Sequence, residues 1–301
     1  MKNILSIFIC VKFILINQSF SASPEYQLKQ EIFRNRKYDK RVRPKINPDE
    51  AIQLNVSLSI VQLLDLSVKH EQIKLMSWMY LHWFDEFLTW NPKDYQNITQ
   101  TVIPIRQLWQ PDFYLYNSVD QINWNSRVNT PVKVSYDGKI HWNSPATFVA
   151  SCNVSNKFYP FDTQTCTLRF GTWTSSAKLL DVYSMSESVS TDHYQVATNW
   201  LLLQTKIRRK KTLYFGEEYD PGGTPYVDIY FDFVYKRAKS WGMTNFVWPV
   251  LLLGMMLMSL FMFPADSGEK VSFACMTFLT FMVVNQSISE DIPRSEEVRE
   301  C

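Results

Sequence analysis

Two cysteines, Cys152 and Cys166, enclose a short run centred on Phe158-Tyr159-Pro160-Phe161-Asp162. A disulfide bond between them would restrict the unfolded chain by on the order of 3 kcal/mol for a loop of this length, and it would persist only in an oxidising compartment. The pair therefore indicates a chain that matures outside the cytosol. An ordinary structural bridge in a secreted β domain is one interpretation of it, and the aromatic-proline-aromatic-aspartate centre allows a more specific one.

The N-terminus has the layout of a signal peptide. Lys2 precedes a mostly apolar stretch from Ile4 to Ile16, and small residues follow as far as Ser23. This order predicts export with cleavage near Ala22 or Ser23, so we assign residues 1–23 to the signal peptide. Asn-x-Ser/Thr sequons fit an exported surface and predict glycosylation at Asn55, Asn97 and Asn153.

The charge balance and the motif content exclude several classes of function. The chain has 31 basic and 29 acidic residues, which gives no electrostatic basis for nucleic-acid binding. Its one basic cluster, Lys206 to Lys211, is short and is predicted to be an exposed strand or loop. The histidines have no metal-ligand spacing, and no nucleophile motif or phosphate-binding glycine loop is visible. We therefore predict a protein that is not an enzyme and that holds no metal or cofactor.

Two uncharged runs near the C-terminus predict membrane helices. No charged residue occurs from Ser240 to Ala265 or from Val271 to Ser289, and each run is long enough to cross roughly 30 Å of hydrocarbon. We expect transmembrane helices at about 241–263 and 270–290. Pro249 lies inside the first run and favours packing in a bundle, where neighbours can satisfy the carbonyl group that proline leaves free. The alternative for this run is a buried helix of a soluble protein.

The second run is more polar than the first. Steps of three or four residues place one stripe along it, preceded by Glu269: Ser272, Met276, Leu279, Val283, Gln286 and Glu290. Polar ends and an apolar middle suit a pore wall, because an apolar constriction can gate by dewetting and carboxylate rings concentrate cations. A helix packed inside a bundle is the alternative.

Residues 24–239 predict a β-rich domain of ordinary size. Apolar and polar residues alternate from Val227 to Tyr235 and from Val56 to Ile60, and Asp137-Gly138 is a preferred hairpin turn. Short strands separated by turn signals favour a sandwich or a barrel. The domain also carries many tryptophans and tyrosines, from which a cage for a quaternary ammonium group could be assembled.

A series of motifs follows the chain in the order Trp78-x-x-x-x-Trp83-x-Asp85-x-x-Leu88-x-Trp90-Asn91-Pro92, Trp109-Gln110-Pro111-Asp112, Leu115-Tyr116-Asn117, the loop between Cys152 and Cys166, Gly171-Thr172-Trp173-Thr174, Pro225-Tyr226-Val227-Asp228-Ile229, Arg237, Pro249 and Asp266-Ser267-Gly268-Glu269-Lys270. In order and spacing this series resembles nicotinic acetylcholine receptor subunits, which are members of the Cys-loop family of pentameric neurotransmitter-gated ion channels. The resemblance extends from Pro48 to Pro293.

The resemblance implies a fold and an assembly. It implies an all-β, extracellular, immunoglobulin-like sandwich, the Cys-loop receptor ligand-binding domain, over residues 24–239, with a disulfide between Cys152 and Cys166. A partial transmembrane domain of two α-helices follows over residues 240–301. The subunit would join others in a pentamer in the plasma membrane, at a postsynaptic site, and would bind a small neurotransmitter, acetylcholine or a related amine.

The resemblance also implies roles for individual residues. Tyr116, Trp173, Tyr219 and Tyr226 would bind agonist on the principal face of one subunit, and Trp78 on the complementary face of its neighbour. The coupling of binding to pore opening would use Phe158, Pro160, Phe161, Asp162 and Arg237. The pore would be lined by Glu269, Ser272, Met276, Leu279, Val283 and Glu290, with Leu279 as the gate. No Pro-Ala insertion precedes Lys270, so the resemblance implies cation selectivity.

Two departures from the family pattern bear on function. The hairpin tip from Glu217 to Gly223 has no adjacent cysteine pair, which resembles a non-alpha or divergent subunit. The sequence also ends eight residues after Pro293, before the third and fourth membrane helices that the resemblance implies. We therefore expect either an incomplete sequence of a channel subunit or a non-conducting, membrane-tethered protein that binds ligand or regulates assembly.

Overall fold

The computed structural model describes residues 23–120, 129–155, 157–214, 224–262, 264 and 268–291. The predicted signal peptide and Tyr219 lie outside these residues. In chain order the elements are α1 (Pro24–Gln30), β1 (Ile52–Ser67), β2 (Gln72–Thr89), β3 (Gln100–Pro104), β4 (Tyr114–Leu115), β5 (Pro131–Ser135), β6 (Asp137–Ser151), β7 (Thr163–Gly171), β8 (Leu180–Ser184), β9 (Trp200–Tyr214), β10 (Thr224–Arg237), α2 (Lys239–Gly242), α3 (Trp248–Ser259) and α4 (Gly268–Asp291).

The strands form two sheets that pack face to face, which confirms the predicted β-sandwich. Among the described residues, the first sheet has six strands in the order β3-β5-β6-β2-β1-β8, and the second has four in the order β4-β7-β10-β9. The alternating residues of β10 behave as predicted: Val227, Ile229, Phe231, Phe233 and Tyr235 are all buried. The two inner faces meet in an aromatic contact: the ring centroid of Phe170 lies 5.2 Å from that of Phe148 in the opposite sheet. Within its own sheet, the Phe170 centroid lies 5.7 Å from that of Phe231.

The N-terminal helix closes one side of the core. α1 continues into a π-helical turn over Glu31–Asn35, and Leu28 and Ile32 are fully buried. Local sequence patterns do not predict this helix clearly, because only one face of a short segment is apolar. Shorter 3₁₀ turns occur at Pro92–Tyr95 and Ile105–Gln107.

The predicted hairpin at Asp137-Gly138 is confirmed. β5 and β6 pair antiparallel through Lys133 with His141 and Val134 with Ile140. Gly138 has φ +87°, and a Cβ atom there would lie 2.5 Å from the backbone oxygen of Asp85. Only glycine therefore fits this turn without displacing β2.

A disulfide between Cys152 and Cys166 joins the two sheets. Cys152 follows the last residue of β6 in the six-stranded sheet, and Cys166 lies inside β7 of the four-stranded sheet, with Cα atoms 5.0 Å apart. Both half-cystines are buried. The resemblance implied this pairing, and the structure confirms it.

Helices follow the sandwich almost without a break. A continuous helical segment runs from α2 through a π-helical turn at Met243–Val247 into α3 and a 3₁₀ turn at Leu260–Met262. By length and composition, the described residues contain one helix that could cross a membrane, Met243–Met262. The 24 residues of α4 cover the second predicted span, whose passage through a membrane stays a prediction.

Candidate functional site

The structure brings Tyr116 and Trp173 together on the outer face of the four-stranded sheet. Their ring centroids lie 5.8 Å apart at an angle of 71°, and the Tyr114 ring lies 6.3 Å from Trp173. Trp173 is 67% exposed, so one side of its indole is open to a ligand. Edge-to-face rings with an accessible π-face are the arrangement in which aromatic side chains attract an organic cation.

Tyr116 occupies its position because Gly171 has no side chain. An ideal Cβ atom on Gly171 would lie 2.7 Å from the Tyr116 ring, so the ring covers the end of β7. The Tyr116 hydroxyl donates a hydrogen bond to the carbonyl oxygen of Thr172. The ring is therefore fixed against the segment that leads into Trp173.

Asp112 holds the loop that carries Trp173. One of its carboxylate oxygens accepts hydrogen bonds from the Thr174 amide and hydroxyl, both at 2.7 Å, and from the Ser175 amide at 2.9 Å. Burial alone would raise the pKa of Asp112, but these hydrogen bonds outweigh it and lower the pKa below its ordinary value. The carboxylate is thus ionised at neutral pH and anchors the loop.

Tyr226 lies at the start of β10, near the same loop. Asp228 pairs with Gly171, so Tyr226, two residues earlier on the same face, extends past the end of β7 towards the segment after Thr172. That segment is joined to β10 where the Ala177 amide donates to the Pro225 carbonyl at 2.8 Å. The structure therefore places the strand end that bears Tyr226 beside the loop that bears Trp173.

An ion pair lies beneath the aromatic group. The Arg169 guanidinium lies 5.2 Å from the centroid of the Tyr116 ring and 5.6 Å from that of Tyr230, and it donates to Asp228 at 2.6 Å. Asp228 is fully buried. Because the carboxylate offsets the guanidinium charge, Arg169 can pack against Tyr116 without leaving an uncompensated positive charge there.

Trp78 lies on the other side of the sandwich. Its neighbours in β2, Ser77 and Met79, are fully buried in the core, so Trp78 projects from the outer face of the six-stranded sheet. Its ring lies 4.8 Å from that of His193. Within one chain, the thickness of two packed sheets separates Trp78 from Trp173.

The loop between the half-cystines is fixed by a buried ion pair. Arg237, the last residue of β10, donates to the two carboxylate oxygens of Asp162 at 2.6 and 3.1 Å, and Gln164 donates to Asp162 at 2.5 Å. Asp162 and Arg237 are both buried. Burial alone would raise the pKa of Asp162, but the hydrogen bonds from Arg237 and Gln164 outweigh it and lower the pKa.

The same loop contacts the start of the candidate membrane helix. The Tyr159 and Phe246 ring centroids lie 5.0 Å apart, and a Cβ atom on Gly242 would lie 3.1 Å from the Pro160 ring. Phe158 and Phe161 are 68% and 44% exposed at the tip. The predicted coupling residues are therefore gathered at the junction between sandwich and helix.

The predicted pore residues form one side of α4. Ser272, Met276, Leu279 and Val283 are exposed, and Thr277, which at 100° per residue faces the opposite direction, is 1% exposed. Glu269 is exposed in the first turn, and Glu290 lies in the last turn with its side chain outside the described part of the chain. Phe278 and Phe281 are also exposed, so exposure alone does not single out the stripe.

The three predicted glycosylation sites differ in position. Asn97 is exposed in a turn with φ +62°, and Asn153 is exposed in the loop that follows Cys152. Asn55 is half-buried in the middle of β1, paired with His82 on one side and Tyr183 on the other. Leu54 and Val56 point into the core, so Asn55 projects from the same outer face as Trp78.

Two features that support the site are not predicted by the sequence patterns. Asp112 and the pair Arg169 with Asp228 were not chosen, although Asp112 stood in the Trp109-Gln110-Pro111-Asp112 motif. A carboxylate that directly follows a proline between strands was the available signal for a loop anchor. The pairing of Arg169 with Asp228 depends on the register of β7 and β10, which no local pattern supplies.

Comparison with known proteins identifies the family. The family described as "Neurotransmitter-gated ion-channel ligand binding domain" matches residues 25–239. Neuronal acetylcholine receptor subunit beta-2 of Gallus gallus is 28% identical over 278 residues, which cover 92% of this chain and 55% of the relative. Neuronal acetylcholine receptor subunit alpha-4 of Mustela putorius furo is 31% identical over 261 residues, 87% of this chain and 41% of the relative.

An insect relative gives the same result. Acetylcholine receptor subunit alpha-like of Manduca sexta is 28% identical over 265 residues, which cover 85% of this chain and 50% of the relative. The chain thus spans about half the length of the curated relatives it matches. With its β-sandwich, its disulfide-closed loop and the match over residues 25–239, the chain belongs to the neurotransmitter-gated ion-channel family and is a nicotinic-receptor-like subunit.

Proposed function

We propose that this chain is a subunit of a cation-selective, pentameric, neurotransmitter-gated channel that binds its agonist between neighbouring subunits. The observation that carries the proposal is the position of Trp78 and Trp173 on opposite outer faces of one sandwich. A pocket that uses both residues requires two copies of the fold, because neither side chain can reach the other through the core. In a ring, the Trp173 face of one subunit meets the Trp78 face of the next, which is the heterologous contact that closes a cyclic oligomer.

The chemistry of the aromatic group supports a quaternary ammonium agonist. Tyr116, Trp173 and Tyr226 would supply π-faces, each contributing roughly 0.5–2 kcal/mol once the cation is desolvated. Arg169 is neutralised by Asp228, so it does not repel such a cation strongly. Acetylcholine or a related amine is the ligand class that we assign, in keeping with the names of the relatives.

The junction with the membrane helix supports coupling between the agonist site and a pore. β10 carries Tyr226 near one end and Arg237 at the other, where the ion pair with Asp162 holds the disulfide-closed loop against Gly242 and Phe246. A shift of β10 on agonist binding would therefore reach the loop and the helix together. We place the sandwich outside the plasma membrane of a postsynaptic cell, with α4 lining the pore and Glu269 and Glu290 at its ends.

Co-expression of two complementary variants tests whether the agonist site lies between copies. Chains with Trp78→Ala or Trp173→Ala should each fail to bind radiolabelled acetylcholine when expressed alone. Mixed in equal amounts, they should regain about a quarter of the wild-type sites, because random assembly places an intact Trp173 face against an intact Trp78 face at one interface in four.

If the site lay within one chain, the mixture would bind no acetylcholine, because every chain in it lacks either Trp78 or Trp173. A mixture of Trp78→Ala with the Trp78→Ala, Trp173→Ala double variant is the control, because its chains contain no intact Trp78 face. Absence of binding to wild-type assemblies would contradict an agonist site formed by copies of this chain.

A further inference from the structure

A pair of histidines faces outward from the six-stranded sheet, apart from the aromatic group and the membrane junction. His82 of β2 and His141 of β6 are direct cross-strand partners, with ring centroids 4.3 Å apart at an angle of 73°. Their neighbours Leu81, Trp83, Ile140 and Trp142 are buried in the core, so both imidazoles project from the outer face. Both histidines are only half-buried and are open to small solutes.

The surroundings of His82 favour a neutral imidazole. Burial, followed by the positive potential of His141, lowers the pKa of His82, and a side-chain hydrogen bond with Asn143 acts in the opposite direction. Asn143 is close enough to act as a hydrogen-bond acceptor that orients the His82 ring. Metal-binding histidines are oriented in this way, by a second group that holds the nitrogen not used for the metal.

The surroundings of His141 also keep it neutral. Burial, followed by the charges of Lys133 and Lys139, lowers the pKa of His141, while Asp137 opposes this effect. Neutral imidazoles can bind a metal without first losing a proton, so the two rings are available as ligands at physiological pH. The same two lysines weaken the binding of any cation, which limits the affinity.

We propose that His82 and His141 form a surface site for a borderline transition-metal ion, with Zn²⁺ as the first candidate. Imidazole nitrogen suits Zn²⁺, Cu²⁺ and Ni²⁺, whereas Mg²⁺ and Ca²⁺ prefer oxygen ligands. Small rotations of the two rings can place one nitrogen of each at a bond length of about 2.0–2.1 Å from a shared ion. Among the described residues there is no group of three or more His, Cys, Asp and Glu side chains that could hold a metal, so water completes the coordination in the isolated chain.

The site lies on the face that carries Trp78. Trp78, Tyr80 and His82 alternate along the outer side of β2, which places His82 about 13 Å from Trp78 at the usual rise per residue. If this face meets a neighbouring subunit, as the proposed function requires, the neighbour can replace one of the waters. The metal site itself depends only on the geometry of one chain.

Calorimetric titration of Zn²⁺ into the full-length chain, solubilised in detergent and freed of metal by a chelator, tests the site. Wild-type protein should bind Zn²⁺ and gain thermal stability in its presence, because a ligand that binds only the folded state stabilises it. His82→Ala and His141→Ala should each remove this binding event, and Asn143→Ala should weaken it about 10- to 100-fold through loss of the orienting hydrogen bond. Mg²⁺ should give no such event.

His70→Ala is the matched control, since His70 is exposed in the turn between β1 and β2 and should leave Zn²⁺ binding unchanged. If the alanine variants fold poorly, the double variant His82→Gln, His141→Gln replaces both histidines by side chains of similar size. Near-ultraviolet circular dichroism checks that this variant is folded. Equal Zn²⁺ affinity and stoichiometry in wild-type chains and in chains that lack His82 and His141 would overturn the proposal, as would absence of binding to the wild type. None of these measurements requires agonist, assembly or current, so failure of the metal site is distinguishable from failure of the proposed function.

Discussion

At the scale of single residues, the proposed agonist site depends on a glycine at position 171. Gly171→Ala would place a Cβ atom 2.7 Å from the Tyr116 ring, so the ring has to shift from its position beside Trp173. Overpacking of this kind typically costs about 1–3 kcal/mol. We expect roughly tenfold or greater loss of acetylcholine affinity in the assembled protein, measured by equilibrium radioligand binding, since each 1.4 kcal/mol is a factor of ten.

Gly254→Ala is the control for this prediction, because no atom of the described residues lies within 4 Å of the added methyl group. Its agonist affinity should equal that of the wild type. Unchanged affinity in the Gly171→Ala chain would show that the position of the Tyr116 ring does not matter for binding.

A second residue, Asp85, gives the sandwich a pH-dependent stability. Asp85 is buried, accepts hydrogen bonds from the Tyr38 hydroxyl at 2.7 Å and the Phe87 amide at 2.9 Å, and has its pKa raised to about 6 by burial. A raised pKa means that the folded state favours the protonated acid. The stabilisation is therefore complete below the unfolded pKa near 4 and is lost as the pH rises through about 6.

The test compares wild type with Asp85→Asn, whose side chain does not titrate. The free energy of unfolding of the wild type, taken relative to the variant, should fall by about 2 kcal/mol between about pH 4 and pH 7. Denaturant unfolding of the detergent-solubilised chains, followed by tryptophan fluorescence, measures this difference. Parallel pH profiles for the two chains would show that Asp85 titrates as it does in the unfolded state.

At the scale of structural elements, the ion pair between Asp162 and Arg237 connects the disulfide-closed loop to the end of β10. Asp162→Asn would leave the Arg237 guanidinium buried without its counter-charge, and removal of one partner of a buried pair typically destabilises a protein by about 3–5 kcal/mol. We expect a lower denaturation midpoint, measured in the same unfolding assay.

The pair Asp39 and Arg41 provides the control for this substitution. It has a similar N to O distance of 2.6 Å but lies in solvent, so Asp39→Asn should leave the midpoint unchanged. If Asp162→Asn also left it unchanged, the anchoring role of the pair would be refuted.

Local sequence patterns predict several of these elements, but not the site that they position. The alternation of β1 and β10, the Asp137-Gly138 turn and the uncharged helices depend on local periodicity, and each appears where the sequence predicts it. The outer-face clustering of Tyr116 with Trp173 depends instead on the pairing of β4 with β7 and on the Asp112 anchor, which are tertiary. Family resemblance supplied the residues of that cluster, and the sequence alone supplied no reason for them to converge.

At the scale of the whole molecule, the three sequons should not be equivalent. Asn97 and Asn153 are exposed in loops, whereas Asn55 projects from the face that also bears Trp78. A bulky glycan at Asn55 would occupy the space that a neighbouring subunit needs in the proposed ring. We expect assembled oligomers to carry glycans at Asn97 and Asn153 and none at Asn55.

Site-by-site glycopeptide mass spectrometry of separated oligomer and monomer fractions measures this occupancy. Ser57→Ala removes the Asn55 sequon while keeping the asparagine, and it should leave the oligomer fraction undiminished. Oligomers with a glycan at Asn55 would contradict the placement of the subunit interface on this face.

Ala238 is the only residue between the end of β10 and the start of α2. A hinge needs a few residues of free backbone to absorb rotation, and one residue, itself buried, offers almost none. We therefore expect the strand and the helix to move together as one rigid unit, without a flexible linker between them. We expect a tilt imposed at the Tyr226 end to displace the helix at the other end.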